Sequence, residues 1–186
     1  MLSQRAVVAH LTAPPSRWRE GYKDEGVSGA MTGLVQPFIS TVPGSLDSKG
    51  RVCIPATHRH LLVAQNTTGV YICPSFIDPA LDAFGQELLD RVNARLANQD
   101  PFFSASYDDE ATALLARTQS LPIDENGRVR IPDAMIAHAG LKDKIVFVGK
   151  AQKFQIWDAD RYAPIEAEAL ARVKAKMERA RNGEAQ

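Results

Sequence analysis

The chain has 186 residues, and its 22 Lys and Arg balance its 22 Asp and Glu, so the formal net charge is zero. This balance excludes a protein that binds nucleic acid through a generally positive surface, although it permits a local basic patch. The 12 Gly and 11 Pro are ordinary usage, which argues against a fibrous or mostly disordered chain. The composition predicts a globular protein with one medium domain or two small ones.

The first 30 residues show no helical or strand period and combine Pro14, Pro15 and three glycines with mixed charges. Strand-like composition begins after Met31, so we expect residues 1–30 to be a disordered leader or a mis-assigned start, with translation beginning at Met31. The open alternative is a flexible arm that contacts DNA. Its basic residues would be Arg5, Arg17, Arg19 and Lys23.

A ten-residue pattern occurs twice in the rest of the chain. Residues 46–55 and 123–132 both follow the pattern apolar-Asp-x-x-Gly-Arg-Val-x-Ile-Pro. After each proline comes a short helical stretch and then an apolar strand, at 70–73 in the first copy and 145–148 in the second. Two such strings with matching downstream elements indicate an internal duplication.

The residue types of the pattern predict a rigid hairpin turn. An Asp accepts backbone N–H bonds at the start of a turn, and the Gly three positions later supplies a positive φ. The following Arg-Val-x-Ile alternates along a strand, which sends Val and Ile to one face and leaves Arg51 and Arg128 exposed on the other. In the second copy we expect a helix to about His138, with Gly140 as its left-handed cap and Leu141 folding back.

Two further helices are predicted between the copies. Asp78 and Pro79 resemble a helix start, and apolar residues follow at helical spacing: Leu81, Phe84, Leu88, Val92 and Leu96. The acidic residues 108–110 resemble the start of the next helix, as caps rather than as acid-base groups. Near the end of the chain, residues 154–157 favour a strand, and a final helix should extend to about Arg179.

The cysteines and histidines do not suggest metal binding. Cys53 and Cys73 have no ligand-like spacing, so we expect both to pack as small apolar side chains. His58 and His60 are two residues apart, which is the wrong spacing for a shared helix face, and we expect both at the surface. We predict no metal, no cofactor and no enzyme activity, because no nucleophile, base and orienting group occur together. No apolar run reaches the roughly 18 residues of a membrane helix, so a cytoplasmic protein is expected.

These strings resemble the MraZ family, tandem-repeat relatives of the AbrB-type swapped-hairpin DNA-binding domain. The resemblance rests on 47–55 and 124–132, supported by the later strings 138–141 and 153–157. It implies an α+β fold in which two tandem AbrB/MraZ-like β-α-β half-barrels pack about a pseudo-twofold axis, with flanking helices. The implied units are 31–101, the first repeat with its following helix, and 102–186, the second repeat with the C-terminal helix.

The resemblance also implies a function. Members of the family are bacterial regulators that assemble into rings, bind direct repeats in double-stranded promoter DNA upstream of the division and cell-wall gene cluster, and repress their own operon. Such a protein would lie in the cytoplasm, associated with the nucleoid. The family's DNA-binding arginine matches Arg51 and Arg128, and Lys49 lies in the first turn. We rank Arg51 above Arg128, because Glu125 and Asn126 make the second turn less basic.

An arginine suits this role because its forked guanidinium can bond guanine O6 and N7 together, which discriminates by about 1 to 3 kcal/mol. One or two such contacts are too few for an operator, but a ring that presents many copies to spaced repeats would raise the effective concentration. Two alternatives stay open. One is an antitoxin-like module that binds a toxin protein, and the other is a plain hairpin turn in which each Asp pairs with its own Arg.

Overall fold

The computed structural model describes residues 36–183; the expectations for residues 1–30 lie outside this range. The described part is an α+β protein with antiparallel sheets. Its elements in chain order are β1 (Thr41–Ser45), β2 (Arg51–Cys53), α1 (Ala56–Ala64), β3 (Gly69–Pro74), β4 (Leu81–Phe84), α2 (Gln86–Leu96), α3 (Ala105–Glu110), a π-helical turn (Ala111–Leu115), β5 (Gln119–Pro122), β6 (Arg128–Arg130), α4 (Asp133–Ala139), β7 (Lys144–Lys150), β8 (Lys153–Asp158) and α5 (Ala159–Gly183).

The strands form two sheets that both combine the two copies of the pattern. The larger sheet has six strands in the order β1-β7-β8-β4-β3-β5, and the smaller one pairs β2 with β6. The leading strand of each copy pairs with a strand of the other copy: β1 with β7, and β5 with β3. The equivalent strands of the two copies are β1 and β5, β3 and β7, and β4 and β8. Exchanging them gives the same order of the six-stranded sheet, read from its opposite edge.

The larger of two apolar clusters lies between these sheets and the short helices. Val52 and Ile54 of the first copy and Val129 and Ile131 of the second are all at most 1% exposed. They pack in the same cluster as strand residues of both copies, including Ile72, Phe147, Phe154 and Ile156. The apolar residues of the repeated pattern therefore anchor the β2–β6 ribbon to the core, which fixes its opposite face toward solvent.

Several local predictions are confirmed. The strands predicted at 70–73, 145–148 and 154–157 are β3, β7 and β8. Helix α4 ends at Ala139, and Gly140 follows with φ of 58°. The backbone N–H of Leu141 donates back to Ile136 at 3.0 Å, which closes the helix end as expected. The final helix runs further than predicted, to Gly183.

The starts of two predicted helices were wrong. No helix begins at Asp78: residues 81–84 form strand β4, which pairs with β3 and β8, and α2 begins only at Gln86. The acidic residues 108–110 do not open a helix, because α3 begins at Ala105. The cap is Ser104, whose hydroxyl accepts from the backbone N–H of Tyr107 at 3.2 Å.

Two expectations about burial were each wrong for one residue, although Cys73 is buried and His60 is exposed as expected. Cys73 is buried, but Cys53 is exposed, because it lies on the outer face of the β2–β6 ribbon. His58, expected at the surface, is only 1% exposed. Its ring contacts those of Phe38 and Phe154, with centroids 5.4 Å and 4.7 Å away, and these two rings are themselves 5.1 Å apart. His58 therefore belongs to the core and is not available to approach a phosphate.

Candidate nucleic-acid interface

The first turn is held by the side chain of Asp47. Its Oδ1 accepts from the backbone N–H groups of Lys49 and Arg51, both at 2.9 Å. The backbone N–H of Gly50 donates to the Asp47 carbonyl at 2.9 Å, and Gly50 has φ of 72°. A side chain at this φ would be strained, so the pattern requires glycine here. The turn is therefore rigid, and the Arg51 side chain extends from a fixed backbone.

The second turn repeats this geometry. Asp124 Oδ1 accepts from the backbone N–H groups of Asn126 at 2.9 Å and of Arg128 at 2.8 Å. Gly127 has φ of 75°, and its N–H donates to the Asp124 carbonyl at 2.8 Å. The matching bonds confirm that the repeated pattern encodes one local structure.

The two arginines differ in their side-chain partners. Arg51 Nε donates to Asp47 Oδ2 at 2.8 Å, and a terminal guanidinium nitrogen lies 2.8 Å from the same oxygen. The backbone N–H of Arg51, followed by its guanidinium, lowers the pKa of Asp47 to about 2. Arg128 is exposed and has no ion pair or side-chain hydrogen bond to any residue within 36–183. The plain-hairpin interpretation, an Asp that pairs with its own Arg, thus describes the first turn but not the second.

The ribbon joins the two turns by reciprocal bonds. Ile54 N–H donates to the carbonyl of Gly127 at 3.0 Å, and Ile131 N–H donates to the carbonyl of Gly50 at 2.8 Å. These bonds link equivalent atoms of the two copies in both directions. Each turn is therefore held by a backbone hydrogen bond from the segment that follows the other turn.

The outer face of the ribbon is basic. Arg51 lies directly opposite Arg130, and Cys53 lies directly opposite Arg128, while Val52 and Val129 point into the core. Arg51 and Arg128 are diagonal neighbours across the two strands, about 7 to 8 Å apart. We call the four residues Arg51, Cys53, Arg128 and Arg130 the ribbon face. This face contains two of the predicted site residues, Arg51 and Arg128, and Lys49 lies exposed in the adjoining turn.

Sequence reasoning missed Arg130. It occupies the variable position of the second pattern, where the first copy has Cys53. The alternation Arg128-Val129-Arg130 already placed both arginines on one side of a strand. Only the pairing of β6 with β2 showed that Arg130 faces Arg51.

Arg59 of α1 is a further basic residue near the ribbon. Its guanidinium packs against Gly127, where an added Cβ would meet the flexible end of the Arg59 side chain. Glycine is required at this position by its φ of 75°. Arg59 places a positive charge beside the second turn, whose own exposed residues include the acidic Glu125.

Within the residues that the structure describes, no group of three or more His, Cys, Asp and Glu side chains is placed to hold a metal ion. None of the described helices combines the length and the apolar character that crossing a bilayer requires.

Comparison with known proteins identifies the family. Residues 114–182 match the profile described as "MraZ protein, putative antitoxin-like". A protein from Xanthobacter autotrophicus named transcriptional regulator MraZ is 40% identical over 137 residues, which covers 74% of this chain and 87% of that protein. The protein of the same name from Azorhizobium caulinodans is 39% identical over 137 residues, covering 74% and 87%. That of Parvibaculum lavamentivorans is 40% identical over 141 residues, covering 73% and 84%. The chain belongs to the MraZ family of transcriptional regulators.

Proposed function

We propose that this protein is a sequence-specific DNA-binding transcriptional regulator that represses the division and cell-wall gene cluster containing its own gene. It binds direct repeats in double-stranded promoter DNA as a homo-oligomeric ring, in the cytoplasm and associated with the nucleoid. The observation that carries this proposal is the ribbon face. Its three arginines lie on one short, rigid two-stranded surface. One of them, Arg51, is fixed by Asp47.

The geometry of the ribbon suits duplex DNA. The major groove is about 12 Å wide and admits a two-stranded ribbon, so side chains on the outer face would reach base edges. Arg51 is held by two contacts to Asp47 Oδ2, which reduces the conformational freedom that its guanidinium would lose on binding. Local positive charge on this face also agrees with a net charge of zero, because the remaining surface carries the balancing carboxylates.

The domain arrangement is part of the proposal. We assign the first repeat to 31–101 and the second to 102–186, as β-α-β half-barrels related by a pseudo-twofold axis. Two observations support this: the order of the six-stranded sheet is unchanged when the copies are exchanged, and the bonds of Ile54 and Ile131 are reciprocal. The leading strand of each half pairs with a strand of the other half, β1 with β7 and β5 with β3, as expected for a swapped hairpin.

Self-association is supported by exposed apolar residues. Phe102 and Phe103 are 86% and 91% exposed, although they lie in a well-fixed turn. Asp100 Oδ1 accepts from the backbone N–H groups of both, at 2.8 Å and 2.9 Å. Adjacent aromatic side chains presented by a rigid turn are typical anchors of protein interfaces. We propose that this turn contributes to the contact between subunits.

The test is a titration of the full chain with the DNA directly upstream of its own gene, against a shuffled duplex, at two salt concentrations. Because phosphate contacts weaken steeply with salt, preference for the promoter at the higher concentration indicates base contacts. Arg51→Ala should abolish the preference and leave the oligomer intact, whereas Arg172→Ala on the exposed face of α5 should change neither. Retained preference in Arg51→Ala would refute the assigned role.

A second candidate is an antitoxin-like module that binds a toxin protein. The description of the matching profile favours it, since that description calls the family antitoxin-like. The same titration separates the two functions: equal, weak binding to both duplexes contradicts the regulator. A stable complex with the product of a neighbouring gene would then support the antitoxin.

A further inference from the structure

Arg130 and Arg51 face each other directly across the β2–β6 ribbon. Both side chains leave the outer face, because their neighbours Val129 and Val52 are buried at 1% exposure. Like charges at directly opposite positions of an antiparallel pair are destabilising. Because Asp47 neutralises Arg51, the unbalanced charge of this pair is that of Arg130, which a bound anion would neutralise.

The intramolecular partners on this face are unevenly distributed. Asp47 pairs with Arg51 on both Nε and a terminal nitrogen. Arg128 and Arg130 are exposed, and within residues 36–183 neither has a carboxylate within ion-pair distance or a side-chain hydrogen bond. The ribbon face therefore has one fixed arginine and two arginines whose donors are available to a ligand.

We propose that Arg130 and Arg128 each bind a backbone phosphate of the duplex, while Arg51 contacts a base. This division of roles rests on the proposed function. A fixed guanidinium presents its two parallel donors in one orientation, as a base edge requires. An arginine without partners can follow a phosphate, which accepts hydrogen bonds from several directions and carries no sequence information.

The geometry allows both contacts at the same time. Opposite residues of the ribbon are about 5 Å apart at Cβ, and arginine side chains are long enough to diverge from there. Arg51 begins β2 and Arg130 ends β6, so the two residues lie at the same end of the ribbon. By diverging from this end, one side chain can reach the floor of the groove while the other reaches a phosphate at its edge.

The experiment uses the full chain with three variants: Arg130→Gln, Arg130→Lys and the control Arg179→Gln, which removes an exposed arginine from α5. Affinity for the promoter duplex and for the shuffled duplex is measured from about 50 mM to about 200 mM salt. Each phosphate contact releases about 0.9 counterions. For each bound subunit, the drop in affinity between these salt concentrations should therefore be about threefold smaller in Arg130→Gln than in the wild type. Its affinity at the lower salt should fall equally for both duplexes.

Arg130→Lys should retain the salt dependence of the wild type, because an ammonium group also neutralises a phosphate. Arg179→Gln should behave as the wild type. Wild-type salt dependence in Arg130→Gln, in protein whose thermal unfolding is unchanged, overturns the inference. A selective loss of the promoter preference in both Arg130 variants also overturns it, since it would make Arg130 a base-contacting residue.

The proposed function fails in a different way. If the wild-type protein does not distinguish the promoter from the shuffled duplex, the regulator itself is contradicted, whatever Arg130 does. If the wild type distinguishes them and Arg51→Ala does not, the regulator stands, and the salt dependence of Arg130→Gln alone decides the phosphate contact.

Discussion

Val52 of β2 lies directly opposite Val129 of β6, and these two residues occupy the same position in the two copies of the repeated pattern. Both are 1% exposed. The centre of the ribbon is therefore a contact between a residue and its own duplicate. The surface that displays Arg51, Arg128 and Arg130 exists only when both copies contribute.

We expect Val52→Ala and Val129→Ala each to lower the free energy of unfolding by about 2 kcal/mol, because each removes two buried carbon atoms and leaves a cavity. Since the two side chains pack against each other, the double variant should be less destabilised than the sum of the single variants. Urea unfolding monitored by circular dichroism measures all three. Strict additivity would show that the copies do not support each other at this point.

Asp47→Asn should weaken binding to promoter DNA while leaving the turn formed. The amide oxygen of asparagine still accepts from the backbone N–H groups of Lys49 and Arg51, but the ion pair with the Arg51 guanidinium is lost. Asp124→Asn is the matched control, because Asp124 makes the same turn bonds and has no ion pair with Arg128 among the described residues. Titration with promoter DNA compares the two, and equal weakening would contradict the role of the ion pair.

The same carboxylate makes stability depend on pH at the acid end. The folded pKa of Asp47 is lowered to about 2 from 3.8, so its contribution is fully present above 3.8 and is lost as the pH falls toward about 2. Asp47→Asn should remove this part of the acid dependence. The midpoint of acid unfolding, compared with that of Asp124→Asn, checks the expectation.

His58 should make the protein less stable in mildly acidic solution. Burial lowers its pKa below 6.5, and the hydrogen bond with the Ile39 carbonyl at 3.4 Å opposes this only in part. The unfolded chain therefore binds a proton first, and stability decreases as the pH falls below about 6.5 toward the folded pKa. Each unit by which the pKa is lowered corresponds to about 1.4 kcal/mol.

His58→Phe keeps an aromatic ring against Phe38 and Phe154 but removes the titratable group, so it should flatten the pH dependence in that window. His60→Gln, at an exposed position of the same helix, is the control. Thermal unfolding between pH about 5 and about 7.5 measures the effect. A pH dependence that persists in His58→Phe would assign it to another group.

Replacing both Phe102 and Phe103 by serine should reduce the mass of the oligomer without unfolding the subunit. The two side chains are almost fully exposed in this structure, so their loss removes no core contact. Val63→Ser, at a position on α1 that is 67% exposed, is the control for loss of an apolar surface residue. Light scattering after size exclusion measures the mass. An unchanged oligomer in the double variant would exclude this turn from the contact.

The sequence alone determined the features that depend on neighbours within a few residues. The bonds of Asp47 and Asp124 reach no further than four residues along the chain, and Gly50 and Gly127 are required by their own φ. Such local constraints require no tertiary contact, and each can be predicted from the residue types of the pattern. The exposure of the site arginines on alternate positions followed from the same strings.

Strand β4 shows where local spacing failed. Leu81 and Phe84 lie three positions apart, a spacing that suits a helix. In the structure, however, Leu81 pairs with Ile156 of β8, and Phe84 pairs with Tyr71 of β3. Asp82, which is buried, accepts from Gln155 at 2.9 Å and from Lys153 at 2.7 Å. The duplication itself held the missing signal, since β8 follows β7 in the second copy as β4 follows β3 in the first.

Only the tertiary structure decided which residues share the site and which lie in the core. The position of Arg130 opposite Arg51, and that of His58 against Phe38 and Phe154, depend on strands and helices far apart in the chain. No local preference sets such a register. It is fixed when the buried valines and isoleucines of both copies reach one common core, because a shift by one residue would turn them to solvent.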